Sequence, residues 1–352
     1  MSSENARKVW RFVRELLSLL MGVYAVGLFL FVVVRLLVGD SLWWVGFFAN
    51  VMPVYFIAFI VLLPLGILLR ARRSVLLMLP MALLGALWFS PLYFPRTHAV
   101  PPASDTTLRV VSMNVWGDNP DLTRIQEWLN QQKADVVVTV ELPPAWNAGI
   151  PALADSYPHQ VTHTEWTRYW GSTLLTSHPI VSQETFTLVP DSIPQQRIVI
   201  DVGGQQIAVY GIHLDLPLEN ANIPAIRTNN IYVEMFLHYN EISRDASIRT
   251  LLARLKNDPL PYIVAGDFNT SDQSLIYNDL ASALGDSFRE AGTGLGTSWP
   301  MLNATLKLPL LVPPLMRIDY IWHSSQFQVV AASEGPFLGS DHLPMLATLA
   351  LK

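Results

Sequence analysis

The stretch that decides the fold of this 352-residue chain is YIVAGDFN, residues 262–269. Four apolar residues, two of them β-branched, precede a glycine and favour a buried strand. Asp267 and Asn269 follow at the end of that strand, where folding requires no polar group and an unpaired one is costly to bury. The stretch therefore predicts a strand that carries polar side chains to the rim of a sheet.

The same arrangement occurs on both sides of this stretch. LRVVSMN at 108–114, DVVVTVE at 135–141 and IAVYGIH at 207–213 are apolar runs that end in an amide, a carboxylate or an imidazole. RIDYIW at 317–322 carries an aspartate inside a further run, and GSDH at 339–342 comes shortly before the last one. Separate segments are therefore expected to deliver six more polar residues to one rim: Asn114, Glu141, His213, Asp319, Asp341 and His342.

In this order the motifs resemble the endonuclease/exonuclease/phosphatase family of metal-dependent phosphoesterases. The resemblance covers about residues 105–352 and is specific because six short motifs keep the family order, although GDFN or SDH alone would occur by chance. It implies an α/β fold, namely a four-layer α/β sandwich in which two mixed β-sheets are flanked by helices. A segment of roughly 245 residues can bury one core of that size.

The resemblance also implies a divalent cation, Mg²⁺ or Mn²⁺, at the rim. Carboxylate and amide oxygens are the ligands that suit such hard ions. By resemblance, Glu141 is the main metal ligand, with Asn114 beside it and Asp341 as a further contributor.

Five residues have catalytic roles by the same resemblance. A carboxylate on the far nitrogen of an imidazole fixes its tautomer and stabilises the imidazolium, and this is the role implied for Asp319 towards His342. The resemblance places Asp267 and Asn269 against the scissile phosphate and gives His213 the protonation of the leaving group.

Two assignments stay open at this stage. Asp319 can instead form a structural ion pair with Arg317, two residues before it in the chain. A basic group for the phosphate is not ranked by the sequence, and three arginines are candidates: Arg168, Arg227 and Arg249.

The first hundred residues are of a different kind. The chain is 51% hydrophobic and only 14% charged, and the apolar excess lies in uncharged runs at 16–34, 41–69 and 74–95. About 20 apolar residues cross a hydrocarbon core. The sequence therefore predicts an anchor at 1–95 with three transmembrane helices, at about 16–38, 43–69 and 74–94, followed by a proline-rich tether at 96–107 and a catalytic domain at 108–352.

Basic residues predict the orientation of these helices. Arg7, Lys8, Arg11 and Arg14 precede the first run, and three arginines fill the turn between the second and third. Positively charged loops stay on the cytoplasmic side. A cytoplasmic amino terminus and three crossings place the catalytic domain outside the cytoplasm, which agrees with the absence of cysteine.

The predicted function is hydrolysis of phosphodiester or phosphomonoester bonds by a membrane-anchored enzyme. From residue 96 onward, 15 basic residues stand against 25 acidic ones, and no basic stripe of the kind that binds long nucleic acids is present in this sequence. The acidic balance and the tethering thus favour a lipid or other envelope phosphoester as the substrate, whereas the deoxyribonuclease-like motif set favours extracellular nucleic acid. Two alternatives remain: an extracytoplasmic endonuclease, and a catalytically silent membrane-anchored binding protein. No protein partner is evident.

One apolar loop departs from a simple soluble enzyme. Residues 306–316, LKLPLLVPPLM, come just before the strand that carries Asp319. The loop either packs over the sandwich or contacts lipid near the site.

Overall fold

The computed structural model describes residues 3–94, 106–146, 150–164, 171–218, 231–306 and 312–352. The chain forms two compact units that divide after Phe94. Most of the expected tether, the central part of the apolar loop at 306–316, and two of the candidate phosphate-binding residues, Arg168 and Arg227, lie outside the described residues.

The first unit is a group of apolar helices. They are α1 (Ser3–Val38), α2 (Trp43–Ala49), α3 (Met52–Leu68) and α4 (Arg72–Phe89), and a 3₁₀ turn at Ser90–Tyr93 follows them. Among the described residues, Arg7–Val38 and Arg72–Tyr93 are long and apolar enough to cross a membrane. The expected middle helix is broken, because α2 and α3 meet at a bend of 57°. It counts as a third span only if the bent pair is taken as one.

Proline explains where the middle segment breaks. Pro53 lies in the first turn of α3, where its missing N–H costs no intrahelical hydrogen bond. Pro64 and Pro80 lie inside α3 and α4, and neither helix ends there. The uncharged run at 41–69 therefore contains two helices rather than one.

The second unit is built on two six-stranded sheets. The first has the order β11 (Phe327–Glu334), β12 (Met345–Leu351), β1 (Thr107–Asn114), β2 (Val136–Leu142), β4 (Gly171–Thr176), β3 (His159–His163). The second has the order β5 (Ile180–Phe186), β6 (Gln195–Val202), β7 (Gln205–His213), β8 (Tyr262–Asp267), β10 (Asp319–His323), β9 (Gly285–Asp286).

Helices complete the layers. They are α5 (Leu122–Gln132), α6 (Ile231–His238), α7 (Ile242–Leu255), α8 (Ile276–Ala283), α9 (Ser287–Ala291) and α10 (Leu302–Leu306). The inner core lies between the sheets, where Val110 and Val138 of the first sheet pack with Val209 and Ile263 of the second. The outer face of the first sheet packs with α5, and that of the second with α7 and α8. The predicted four-layer α/β sandwich is confirmed.

Strand direction brings the polar ends together. β1 and β2 are parallel, and so are β7 and β8, so each pair ends at one edge of its sheet. β10 runs antiparallel to β8 and therefore begins at that edge, with Asp319 opposite Asp267. This is the usual position of a site built on the carboxyl ends of parallel strands.

A glycine permits the close approach of β7 and β8 at this edge. Gly266 has φ 145°, and a Cβ atom there would lie 1.8 Å from the carbonyl oxygen of Ile212. Only glycine tolerates both the conformation and the contact.

We expect Gly266→Ala to destabilise the full chain in detergent by about 3 kcal/mol, because the added methyl group forces β7 and β8 apart. Gly204→Ala is the matched control, since Gly204 also has a positive φ, 92°, but nothing lies within 4 Å of its added Cβ. Unfolding followed by tryptophan fluorescence measures both costs. Equal costs for the two substitutions would show that the contact with Ile212 is unimportant.

Candidate active site and metal centre

Side-chain alternation points the strand-end polar groups inward. Successive residues of a strand face opposite sides of the sheet, so residues two apart share a face. Four polar residues continue the inward alternation of inner-core residues at the rim: Asn114 beyond Val110, His213 beyond Val209, Asp267 beyond Ala265, and Asp319 ahead of Ile321. Both sheets therefore contribute polar side chains to the same space.

Glu141 reaches the site through a β-bulge. By alternation with Val136 and Val138 its side chain would face the outer layer, but the pairing of β2 with β4 shifts between Val140 and Leu142. Glu141 itself has φ 57°, a left-handed conformation that is uncommon for a residue other than glycine. The bulge leaves Leu142 in the outer core and turns Glu141 towards Asn114.

A buried imidazole–carboxylate pair forms the centre of the site. His342 Nδ1 lies 2.8 Å from Asp319 Oδ2, and both side chains are almost fully buried. Burial alone would lower the pKa of His342, but Asp319, Asp341 and Asp267 raise it to about 10. The Nε2 atom faces the site, 3.8 Å from Asp267 Oδ2 and 4.0 Å from Asp341 Oδ1.

Asn114 connects the two sheets. Its amide nitrogen donates to Glu141 Oε1 at 2.8 Å and to Asp267 Oδ2 at 3.1 Å. Its amide oxygen accepts from the backbone N–H of Trp116. In this arrangement Asn114 holds two carboxylates together, and its oxygen faces the backbone rather than the space between them.

The site concentrates more negative charge than its hydrogen bonds balance. Burial, followed by the charge of Asp341, raises the pKa of Glu141 to about 7. Burial and the charge of Asp319 raise the pKa of Asp267 to about 8, and burial also raises the pKa of Asp341. Neighbouring carboxylates that repel one another in this way are stabilised by a bound cation.

The donor set fits a divalent metal ion. One ligand atom each from Glu141, Asp267 and His342 lies within 4.8 Å of the others. Asp319 Oδ1 and Asp341 Oδ1 are buried and make no hydrogen bond. Carboxylate oxygens in this number suit hard ions such as Mg²⁺ or Mn²⁺, which prefer oxygen ligands.

Asp341 forms the wall of the site together with an aromatic side chain. Trp299 Nε1 donates to Asp341 Oδ2 at 3.2 Å, and the Trp299 ring lies 6.2 Å from that of His342. Tyr232 of α6 also packs against Trp299, with the ring centroids 5.9 Å apart.

His213 lies at the site, and its surroundings disfavour a charged imidazole. Its Nε2 atom is 3.7 Å from Glu141 Oε1, and its backbone N–H donates to Gln195 Oε1. Burial, reinforced by the charge of His342, lowers the pKa of His213 to about 3. These surroundings therefore favour the neutral form of the imidazole.

Asn269 follows the end of β8, and its side chain binds the backbone of Leu214. Its backbone N–H donates to Asp267 Oδ1, and its side-chain nitrogen donates to the carbonyl oxygen of Leu214 at 2.7 Å. With φ 47° it is left-handed, and its own carbonyl accepts from the buried guanidinium of Arg244. Asn269 thus orients one oxygen of Asp267 and leaves the other to face His342.

Arg317 does not pair with Asp319. Its guanidinium forms two hydrogen bonds with Asp286, at 2.6 and 2.9 Å, and lies over the ring of Tyr320. Although burial would raise the pKa of Asp286, Arg317 holds it below its ordinary value. The alternative of a structural Asp319–Arg317 ion pair is therefore wrong, and Arg317 instead fixes the start of β10.

Sequence reasoning did not single out several residues that support the site. Ser340 Oγ accepts from His342 N–H and donates to the Asn114 carbonyl, and Ser298 Oγ accepts from the N–H of Asp319. The side-chain amide of Gln195 donates to the His213 carbonyl oxygen and accepts from the His213 N–H. Trp299 and Arg244 complete this set. Serine, glutamine and tryptophan carry no spacing signal, and these contacts arise only after distant segments meet.

The third phosphate candidate is placed away from the site. Arg249 is exposed on α7, the helix that covers the outer face of the second sheet.

We expect Asp267→Asn to stabilise the full chain in the presence of a chelator. The raised pKa means that the folded protein retains a proton that the unfolded chain releases above about pH 4. The wild type therefore loses stability as pH rises towards 8, and the variant does not. Its advantage in melting temperature should widen from pH 5 to pH 9, whereas the exposed control Asp155→Asn should show no such trend. A constant gap would contradict the electrostatic account.

Comparison with known proteins agrees with this geometry. The sequence profile of the Endonuclease/Exonuclease/phosphatase family matches residues 111–342. No curated protein matches the chain. Among solved structures, a Bacteroides vulgatus endonuclease/exonuclease/phosphatase has 18% identity and a TM-score of 0.55, covering 70% of this chain and 100% of its own.

Two other solved structures are similar in fold. A family protein from Bacteroides thetaiotaomicron has 16% identity and a TM-score of 0.52, with 70% of this chain and 98% of that chain covered. A truncated TDP2 from Caenorhabditis elegans has 15% identity and a TM-score of 0.52, with 70% and 99% covered. At this identity the likeness concerns the fold, while the profile match spans most of the chain: this protein belongs to the endonuclease/exonuclease/phosphatase family, whose members are generally metal-dependent phosphoester hydrolases.

Proposed function

We propose that this protein is a membrane-anchored, divalent-metal-dependent phosphoesterase that hydrolyses phosphodiester or phosphomonoester bonds outside the cytoplasm. One observation carries the proposal. Glu141, Asp267 and His342 converge within 4.8 Å, and buried Asp319 lies behind the imidazole. Folding alone gains nothing from such a cluster, because buried like charges oppose it.

The cation would be held by the carboxylates of this cluster, with Glu141 as the main ligand and Asp341 beside it. Bound there, Mg²⁺ or Mn²⁺ would offset the charge of the phosphate oxygens and favour ionisation of the attacking water. Asn114 would keep Glu141 and Asp267 in place through the two hydrogen bonds of its amide nitrogen.

The chain's own residues supply the proton chemistry. Asp319 fixes the Nδ1 atom of His342 and stabilises its charged form, so that Nε2 is the atom that faces the substrate. Asp267 lies 3.8 Å from that Nε2 atom. Together His342 and Asp267 can hold and exchange one proton at the reacting phosphate, while Trp299 and Asp341 bound the space.

Sidedness follows from the charged residues around the apolar helices. The basic residues before α1 and the three arginines between α3 and α4 favour the cytoplasmic side. If the bent pair α2–α3 crosses once, the chain crosses three times and the catalytic unit lies outside.

Lipid or other envelope phosphoesters are the favoured substrates. The acidic balance of the second unit and the attachment to apolar helices both favour a phosphate carried by the membrane over a long polyanion. Extracellular nucleic acid remains the competing substrate.

Metal binding predicts a gain in stability. Full-length protein in detergent should melt about 5 to 10 °C higher at a Mg²⁺ or Mn²⁺ concentration 100 times the dissociation constant, which corresponds to about 2.7 kcal/mol. Glu141→Gln should lose most of this shift. The exposed control Glu127→Gln should keep it. A shift of the same size in both variants would place the cation elsewhere.

Turnover should depend on His342. His342→Asn should reduce hydrolysis about 10²- to 10⁴-fold, because the site loses its proton carrier while asparagine still satisfies Asp319. The control is His178→Asn: His178 pairs with Asp135 at 3.1 Å, beside the opposite end of β2 from Glu141.

Three substrates tested with the wild type and both variants decide between the functions: phospholipid vesicles, plasmid DNA and a soluble chromogenic phosphodiester. Activity confined to DNA would favour the endonuclease. A wild type inert towards all three with several metals would favour a silent binding protein.

A further inference from the structure

The helix α6 is apolar but buries none of its residues. Its sequence is IYVEMFLH, with six apolar residues in eight, and no side chain in it is buried. Val233, Phe236 and Leu237 are 51%, 44% and 63% exposed. Residues three and four apart share one face of a helix, so these three form a single outward stripe.

Exposed apolar side chains concentrate around this stripe. In the described part of the second unit, seven large apolar side chains are exposed. Three are those of α6, and two others are Ile242, 76% exposed at the start of the next helix, and Leu306, 55% exposed at the end of α10. The stripe with Ile242 and Leu306 is called the apolar rim below.

The apolar rim adjoins the site. Tyr232 packs on Trp299, and Trp299 donates to Asp341. Burial raises the pKa of Tyr232, and the nearby side chain of Thr305, the residue before Leu306, lowers it. The helix thus reaches the wall of the site through Tyr232, while Val233 and Leu237 are exposed to the surroundings.

The rest of the chain indicates what covers such a surface. Apolar side chains gathered on one face mark an interaction surface, and an amphipathic helix lies in a bilayer interface with its apolar face in the lipid. The same chain carries at least two helices able to span a membrane. Only residues 95–105 connect Phe94 to Thr106, and eleven residues reach at most about 40 Å even when fully extended.

We propose that the apolar rim docks onto the lipid surface and presents the active site to phosphoesters carried by lipid head groups. The docking rests on the proposed membrane attachment, and the substrate class rests on the proposed hydrolase activity. Inserted side chains at the wall of the site would hold its entrance at the depth of the head groups. Val233, Leu237 and Ile242 supply the contact, and Tyr232 couples their position to Trp299.

Single cysteines test the docking directly, because the chain contains none. Full-length Leu237→Cys and Val181→Cys proteins, each labelled with an environment-sensitive fluorophore, are reconstituted into vesicles with nitroxide-labelled lipids. Val181 is the matched control, 52% exposed on the edge strand β5. The label at position 237 should be blue-shifted and quenched several-fold more than the one at 181. Equal quenching, or a shielded but unquenched label covered by a second copy, overturns the proposal.

Hydrolysis assays test whether docking brings the active site to lipid head groups. The triple variant Val233→Ser, Leu237→Ser, Ile242→Ser should hydrolyse a phosphodiester lipid in vesicles several-fold more slowly, with unchanged turnover of a soluble chromogenic phosphodiester. Val181→Ser should change neither. Equal loss on both substrates would mean that the rim supports folding rather than docking. A wild type inert towards both substrates refutes the hydrolase and its substrate class, while the fluorescence result still decides the docking.

Discussion

The site brings together buried carboxylates from two sheets, and these carboxylates repel one another. Two contacts between the sheets hold them in place. Asp319 of the second sheet holds His342 at 2.8 Å, and His342 lies three residues before β12, the last strand of the first sheet. Asn114 of the first sheet donates to Asp267 of the second at 3.1 Å. The inner core aligns the sheets, and these contacts fix the polar edge at which they meet.

The same electrostatics connect stability with function. Raised pKa values at Glu141, Asp267 and Asp341 show that the folded chain keeps these groups close at a cost. Two buried arginines are paired with carboxylates: Arg317 with Asp286, and Arg244 with Glu241 and Asp245. Negative charge therefore remains in excess where a cation and a phosphate would be bound, as is common at functional sites.

The apolar rim bears on where the active site is held rather than on its chemistry. A hydrolase of lipid head groups has to bring its site to an interface, and an exposed apolar helix at the wall of the site provides a means of doing so. In the proposed membrane attachment, the helices that can span a membrane would keep the catalytic unit near such a surface. Recognition would then come partly from where the site is held and partly from Trp299, Tyr232 and the carboxylates around the phosphate.

Local signals in the sequence were enough to predict the family, the four-layer sandwich and the polar residues at the strand ends. Period-two alternation and a polar group at the end of a strand both depend only on neighbouring residues. It missed the edge strands β3 and β5, whose sequences HQVTH and IVSQETF are largely polar. The folded chain was needed to establish that Glu141 reaches the site through a bulge and that Arg317 binds Asp286. It was also needed to establish that the amide nitrogen of Asn114 faces the carboxylates and that α6 remains exposed. Those outcomes depend on contacts between residues distant in sequence, which local patterns do not encode.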